Sequence, residues 1–580
     1  MLVLSVPLLL AIVLQGRVAS GLAVNSPRVA VTSSGSLDEQ WPISSPVPSL
    51  GRNSLKRLEV KGGTARNSDN PVFKLLHHKK FNAIENTDNG SSSNSNSNSN
   101  SNSNSNIDSI SNSNSNNNNK NEKENANPPK IALAIEGGGM RGSVSAGMVT
   151  AISYLGLHDR ISSVYGSSAG SMIGAYFITQ QLPWHGPSVY YDCLTLPETS
   201  LEGGGEGKGG GRRASGKTSS KKRGKGAKPD KFIDQSRLIR SLGLRIFDFR
   251  EYRRGKWGKP VFQLDYLLND VMQNSKNCGK LLNWKEFERM QKVMPLHVIA
   301  SSLKTERSLS LSYEAGNFWD LESLAKCMKA SMLLPGIAGP PVSIDNGSNI
   351  LFESTSAGGG RRKAKESSSI LLNSKMHSQE RSNLPGEPCI DALLYEPIPY
   401  RTPVNEGEEN VLVLRTRPDG VNVLKKQGRI ERMIMRKYFK NKLRAKRVYD
   451  YVKKQRHKRI YAEDVIFLNK KNKETERREG EASILTVALA KGEKEIGRSE
   501  IGREEIFNGV RRGFAAAYDA LVFEEREVGK GWEVACRVFP EEILHSYDPK
   551  ECGMNWEKWN LKMGKDPYEV LEWGEELPLV

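Results

Sequence analysis

The chain runs to 580 residues, enough for a sizeable buried core, and carries a net charge of +19 from 85 basic and 66 acidic residues. Its six cysteines show no paired spacing, which excludes a zinc pattern and a dense disulfide scaffold; neither a metal nor a cofactor is implied. The positive excess lies in residues 203–231 and 425–459, and no motif interleaves those cations with aromatics, so nucleic acid is not expected as a partner.

Residues 2–14 are almost wholly apolar and are followed by small residues, with cleavage points after Ser20 or Ala23. The run is too short to span a bilayer comfortably, and residues 1–23 read as a signal peptide that lacks a basic start. The segment to about residue 70 is rich in serine with few acids, which suits a transit peptide behind the signal. A plastid and the secretory pathway are therefore the two expected destinations. Asn89 and Asn346 sit in Asn-x-Ser sequons, glycosylation acceptors if the chain stays in the secretory route. Residues 90–120 are a Ser-Asn repeat without core-forming residues, so 24–129 reads as a low-complexity, disordered targeting and linker region.

From Lys130 the character changes. Ile131 to Ile135 is an apolar run that reads as a buried strand. Gly137, Gly138, Gly139, Met140, Arg141 and Gly142 follow, and then Val144, Met148, Ile152 and Leu155 fall on one helical face. Ile161 to Tyr165 is a second short strand that runs into Gly166-Ser167-Ser168-Ala169-Gly170. Met172, Ile173, Ala175 and Phe177 then suit a helix buried against a sheet. In a chain this rich in glycine and serine, Gly-x-Ser-x-Gly arises by chance about half a time, so the motif alone decides little. Its order and setting decide. A glycine loop after one strand exposes N–H groups to a developing oxyanion, and a serine on a strand-to-helix turn is presented as a nucleophile. Together they point to serine-dependent acyl hydrolysis.

The chain here resembles the patatin-like phospholipases and lipases, in a bacterial-type form with insertions. The resemblance rests on Gly137-Gly138-Gly139-Met140-Arg141-Gly142, on Gly166 to Gly170, and on a later stretch, Cys389-Ile390-Asp391-Ala392 through Pro397-Ile398-Pro399. The strand Asn410 to Pro418 and the upstream Lys329 to Pro335 and Pro340-Pro341-Val342 look like the family's segments. The resemblance implies a three-layer α/β/α patatin-like fold with a mostly parallel central sheet. It further implies a Ser-Asp dyad, with Ser168 as nucleophile and Asp391 as base, an oxyanion hole at Gly137 to Gly142, and Gly166 and Gly170 framing the elbow. The activity implied is lipid acyl hydrolysis of phospholipase A, galactolipase or lipase type, acting on carboxylic esters of glycerolipids. Arg141 could neutralise a lipid phosphate or tether its own loop.

One position departs from the family pattern. Ala392 stands where the family has glycine, and a positive φ there would cost alanine about 1 kcal/mol or more. That departure motivates a second reading, a catalytically weak lipid-binding protein at anionic membrane surfaces. Asp345 is the alternative aspartate, but it lacks the downstream Pro-x-Pro and strand. A Ser-Asp-His triad would need His457, which sits in a basic run and reads as solvated, or His545.

The catalytic domain is expected over 130–424, with low-complexity insertions at about 200–230 and 353–386. Leu296, Val298 and Ile299 mark a strand, and Leu321 to Leu333 a helix. Residues 425–580 are expected to extend the same domain, with a strand over Ile484 to Leu489 and a helical face of Ile506, Val510, Phe514 and Tyr518. Within 425–459, Ile430, Met433, Ile434 and Tyr438 at helical spacing predict a basic amphipathic helix suited to anionic headgroups.

Overall fold

The structure, a computed structural model, describes residues 66–78, 130–182, 185–195, 232–233, 260–274, 280–335, 337–344, 386–424, 432–433 and 435–545. The signal-peptide candidate, the sequons, the Ser-Asn repeat, both low-complexity insertions, Asp345, Ile430 and Ile434 lie outside them. Its strands are β1 (Ile131–Ile135), β2 (Ile161–Ser167), β3 (Leu296–Ser302), β4 (Ser308–Ser312), β5 (Val342–Ile344), β6 (Glu387–Ile390), β7 (Asn410–Leu414) and β8 (Ser483–Val487). The helices that matter below are α1 (Pro71–Leu76), α2 (Gly142–Tyr154), α3 (Ala169–Ile178), α4 (Leu321–Met332), α5 (Lys446–Lys453), α6 (Arg456–Lys471), α7 (Arg503–Leu521) and α8 (Gly531–Val538).

The strands form one sheet in the order β5-β6-β3-β2-β1-β7-β8, with β4 also on β3. From β3 to β8 every pair is parallel; β4, β5 and β6 add antiparallel pairs at one end. Parallel strands are covered on both faces, which is why β1 and β7 read as unbroken apolar runs. Alternation divides them between two cores. Ile131, Leu133, Ile135, Leu412 and Leu414 join the core containing α2, α3 and α7. Ala132, Ala134, Val411 and Val413 join the other, with Tyr461, Val465 and Leu468 of α6. Sheet and two helical faces make the expected three-layer α/β/α arrangement.

Helix α2 departs from its expected single apolar stripe, since every residue from Gly142 to Ser153 is buried. The cause is α7, which lies along it so closely that a Cβ on Gly147 would meet the Val510 carbonyl and one on Gly513 the Val144 carbonyl. The C-terminal segment is thereby part of the same core, and β8 extends the same sheet.

Two expectations need correction. The region before residue 130 is not all low-complexity linker. Asn70 caps α1 through the Val72 amide, and Pro71 occupies the first turn, where its missing N–H costs nothing. Val72, Phe73 and Leu76 are fully buried, Asn70 Nδ2 donates to the Ile484 carbonyl, and the His77 ring bonds the Leu521 carbonyl at 2.8 Å. The second correction concerns 425–459, which is not one amphipathic helix. A π-helical turn at Arg436–Lys442, then α5, then α6 succeed one another, with Arg444 and Gln455 at positive φ between them. Tyr438 is buried, whereas Met433 is exposed.

Candidate active site

The carboxyl ends of the parallel strands converge on one cavity, as expected for an α/β sheet. At the end of β1, the Glu136 amide donates to the Leu414 carbonyl, and the Glu136 carboxylate accepts from the Thr416 amide at 2.8 Å. Thr416 Oγ1 in turn donates to the Gly137 carbonyl at 3.0 Å. The glycine loop is thus fastened to β7. Gly138 and Gly139 take φ of 143° and 64°, values open to glycine at no steric cost. Gly137 crosses the elbow so tightly that a Cβ there would lie 2.7 Å from the Ala169 nitrogen and closer still to the Ser167 carbonyl.

Strand β2 ends at Ser167, and Ser168 holds φ 52° and ψ −126° before α3 begins. A non-glycine residue in that region is strained and marks a site where the surroundings over-determine the backbone. Gly166 and Gly170 allow it, since side chains there would strike Ser171 and the Ile135 carbonyl respectively. Ser167 Oγ donates to the Pro397 carbonyl at 2.7 Å, which ties the elbow to the Asp391 segment.

Asp391 follows β6, its amide donating to the Leu333 carbonyl at 2.9 Å. Its side chain bridges two partners. Oδ1 accepts from the Leu393 amide at 2.8 Å, and Oδ2 accepts from Ser168 Oγ at 3.4 Å. Burial raises its pKa to about 6, against the opposing pull of the Leu393 amide, the Arg498 charge and the Ser168 hydroxyl. Ala392 presents no difficulty: it opens a short 3-10 turn, is buried, and is not among the described residues with positive φ.

The six residues expected to form an oxyanion hole do not all present free amides. The Met140 amide donates to the Arg498 carbonyl, and the Gly142 amide to the carbonyls of Gly139 and Met140. Gly137 faces Ser167 Oγ at a long 3.4 Å. The Gly138 amide has no acceptor among the described residues, and Ala169, first in α3, has no intrahelical one. Arg141 is buried and ion-paired with Glu495, to which Arg417 Nε also donates at 3.0 Å. That pairing makes Arg141 a tether of the loop.

His457 is a further correction. It is buried, not solvated, and burial with the charges of Lys458 and Arg498 pushes its pKa down to about 3. Its Nδ1 is enclosed without a hydrogen bond, and Asp391 bonds no histidine among the described residues. His545 ends a short helix, Glu541–His545.

Ser168 and Asp391 open on a largely apolar cavity. Gly137 to Gly139, Arg141 and Arg498 stand at its polar end; Met172, Leu194, Phe232, Phe262, Leu267 and Ile337 line the rest.

Residues 133–359 match the family model described as patatin-like phospholipase. Over that segment the chain is similar to the patatin-like phospholipases. A patatin-like domain implies a lipid acyl hydrolase of the esterase class. No curated protein matches the chain. Among solved structures, VipD from Legionella pneumophila is similar at 11% identity over 77% of this chain and 78% of VipD, with a TM-score of 0.26. At that overlap it adds nothing to the fold assignment.

Three parts of the site escaped the sequence. Ser331 Oγ accepts from the Ser168 amide at 2.7 Å and donates to the Ile299 carbonyl, although it lies in a segment that resembles the family. Glu495 and Arg498 come from the loop after β8, where no local pattern marks them.

Proposed function

We propose that the protein hydrolyses carboxylic esters of glycerolipids through a Ser168–Asp391 dyad. The observation that carries this reading is the 3.4 Å approach of Ser168 Oγ to Asp391 Oδ2 at the reactive end of a largely apolar cavity. Asp391 accepts the hydroxyl proton as Oγ attacks the ester carbonyl, then delivers it to the departing alcohol. Water next attacks the acyl-enzyme, its proton passing to Asp391, and the fatty acid leaves as Ser168 regains its hydrogen. The amides of Gly138, Gly139 and Ala169 are the donors we assign to the oxyanion; one such donor is worth roughly 3–4 kcal/mol. The N-terminus of α3 adds its dipole.

Membrane docking belongs to the same proposal. Tyr451 OH in α5 donates to the Leu394 carbonyl at 3.0 Å, which fastens that helix to the segment following Asp391 and supports a role for the basic residues of 425–459 near the site. Contact of that basic surface with anionic headgroups would bring lipid to the cavity. Delivery to the secretory pathway or a plastid is inferred from residues 2–14 and is checked by fractionating cells that express the tagged full chain.

Ser168→Ala is the direct test. It should abolish both glycerolipid hydrolysis and labelling by a fluorophosphonate; labelling that persists removes Ser168 from the nucleophile role.

A further inference from the structure

Arg141 and Arg498 line the polar end of the cavity, with Arg417 just behind them. Arg141 and Arg417 both pair with Glu495. Arg498 does not. Among the described residues its side chain makes no ion pair or hydrogen bond, and its Nε is buried without a partner. Yet the residue is fixed in place, because its carbonyl receives the Met140 amide and presses on Gly139. It lines the same cavity as Ser168 and Asp391, near enough for its charge to act on Asp391. Burial and the nearby Arg141 and Arg417 work against that charge, Asp391 and Glu495 favour it, and the guanidinium remains cationic at neutral pH.

Asp391 and Glu495 act on this guanidinium only through space, so its hydrogen-bonding fork stays open to an anion that a ligand brings into the cavity. Neutral glycerolipids supply none. In a glycerophospholipid the phosphodiester sits on the same glycerol as the scissile ester, and its oxygens match the fork of a guanidinium. We propose that Arg498 binds the substrate's phosphodiester and so selects glycerophospholipids over neutral glycerolipids. This rests on the Ser168–Asp391 reading above. Arg498, like Asp391, lies beyond the matched segment 133–359.

The test compares phosphatidylglycerol with monogalactosyldiacylglycerol in the same mixed micelles, using wild type, Arg498→Gln and Arg498→Lys. Wild type should prefer the phospholipid. The ratio of kcat/KM for phospholipid over galactolipid should fall about 10- to 100-fold in Arg498→Gln, mostly through KM, with Arg498→Lys between. A ratio unchanged in both variants, with the acid limb of the pH profile moved alike for both lipids, would mean that Arg498 acts only on Asp391, and overturns the proposal. So does a wild type without phospholipid preference whose galactolipid hydrolysis is inhibited by inorganic phosphate through Arg498, which would mark a free-anion site. Galactolipid turnover abolished by Ser168→Ala keeps the dyad reading standing whichever way the ratio falls.

Discussion

The backbone amide of Ser168 donates to the hydroxyl of Ser331 at 2.7 Å, and that hydroxyl in turn donates to the Ile299 carbonyl. A completely buried serine on α4 thus locks the strained elbow to β3. Ser331→Ala leaves a buried N–H without an acceptor, a loss of about 1–3 kcal/mol. Urea denaturation should show that loss, and kcat should fall more than KM rises. Ser331→Thr, which keeps the hydroxyl, should recover part of kcat.

The acid limb of kcat/KM should report the base. Asp391 accepts a proton only when ionised, and its pKa is raised to about 6. Hydrolysis of a soluble ester should therefore decline below about pH 6, one decade per pH unit. A profile flat down to pH 4 would remove Asp391 as the base.

Asp391→Asn should trade activity for stability. A carboxyl whose folded pKa is raised from 3.8 to about 6 binds its proton more tightly when folded. Its contribution is thus favourable below the unfolded pKa and lost as pH rises through the folded one. Above pH 6 the ionised carboxylate weakens the fold by roughly 1–3 kcal/mol, a penalty that asparagine lacks. The variant should be inactive and melt higher than wild type at pH 7, with the difference vanishing near pH 4.

Phe73→Ala examines the helix before the domain. Phe73 is 1% exposed, meets the His77 ring at a tilt and lies under Arg66. Truncation should cost about 3–5 kcal/mol if α1 is integral to the fold. Calorimetry of the protein with residues 1–78 present reads this directly; an unchanged Tm would make α1 a detachable arm.

Much of this arrangement is legible in residues alone, and the exceptions have physical causes. Ile131 to Ile135 and Asn410 to Leu414 announce themselves because strands covered on both sides must be apolar throughout. Ser168 and Asp391 lie 223 positions apart, and only the resemblance joins them. His457 misleads because its neighbours Lys454, Arg456, Lys458 and Arg459 are basic. Its spacing to Ile460, Tyr461, Asp464 and Leu468 nevertheless puts it on the buried side of α6. Helix α1 is six residues long, too short for periodicity, although Asn70-Pro71 is a readable start. Arg498 has no local signature at all, since its importance arises when the chain returns from β8 across the glycine loop.

The sheet order has a practical corollary for anyone trimming the gene. β1 is flanked by β2 on one side and by β7 on the other, and β7 lies beyond residue 359, where the family match ends. A fragment cut there would forfeit Asp391 and strip the central strand of its neighbour, leaving a row of bare amides and carbonyls that invites self-association. Expression boundaries for this protein should be drawn from the strand pairing, reaching from before Arg66 to past Leu544.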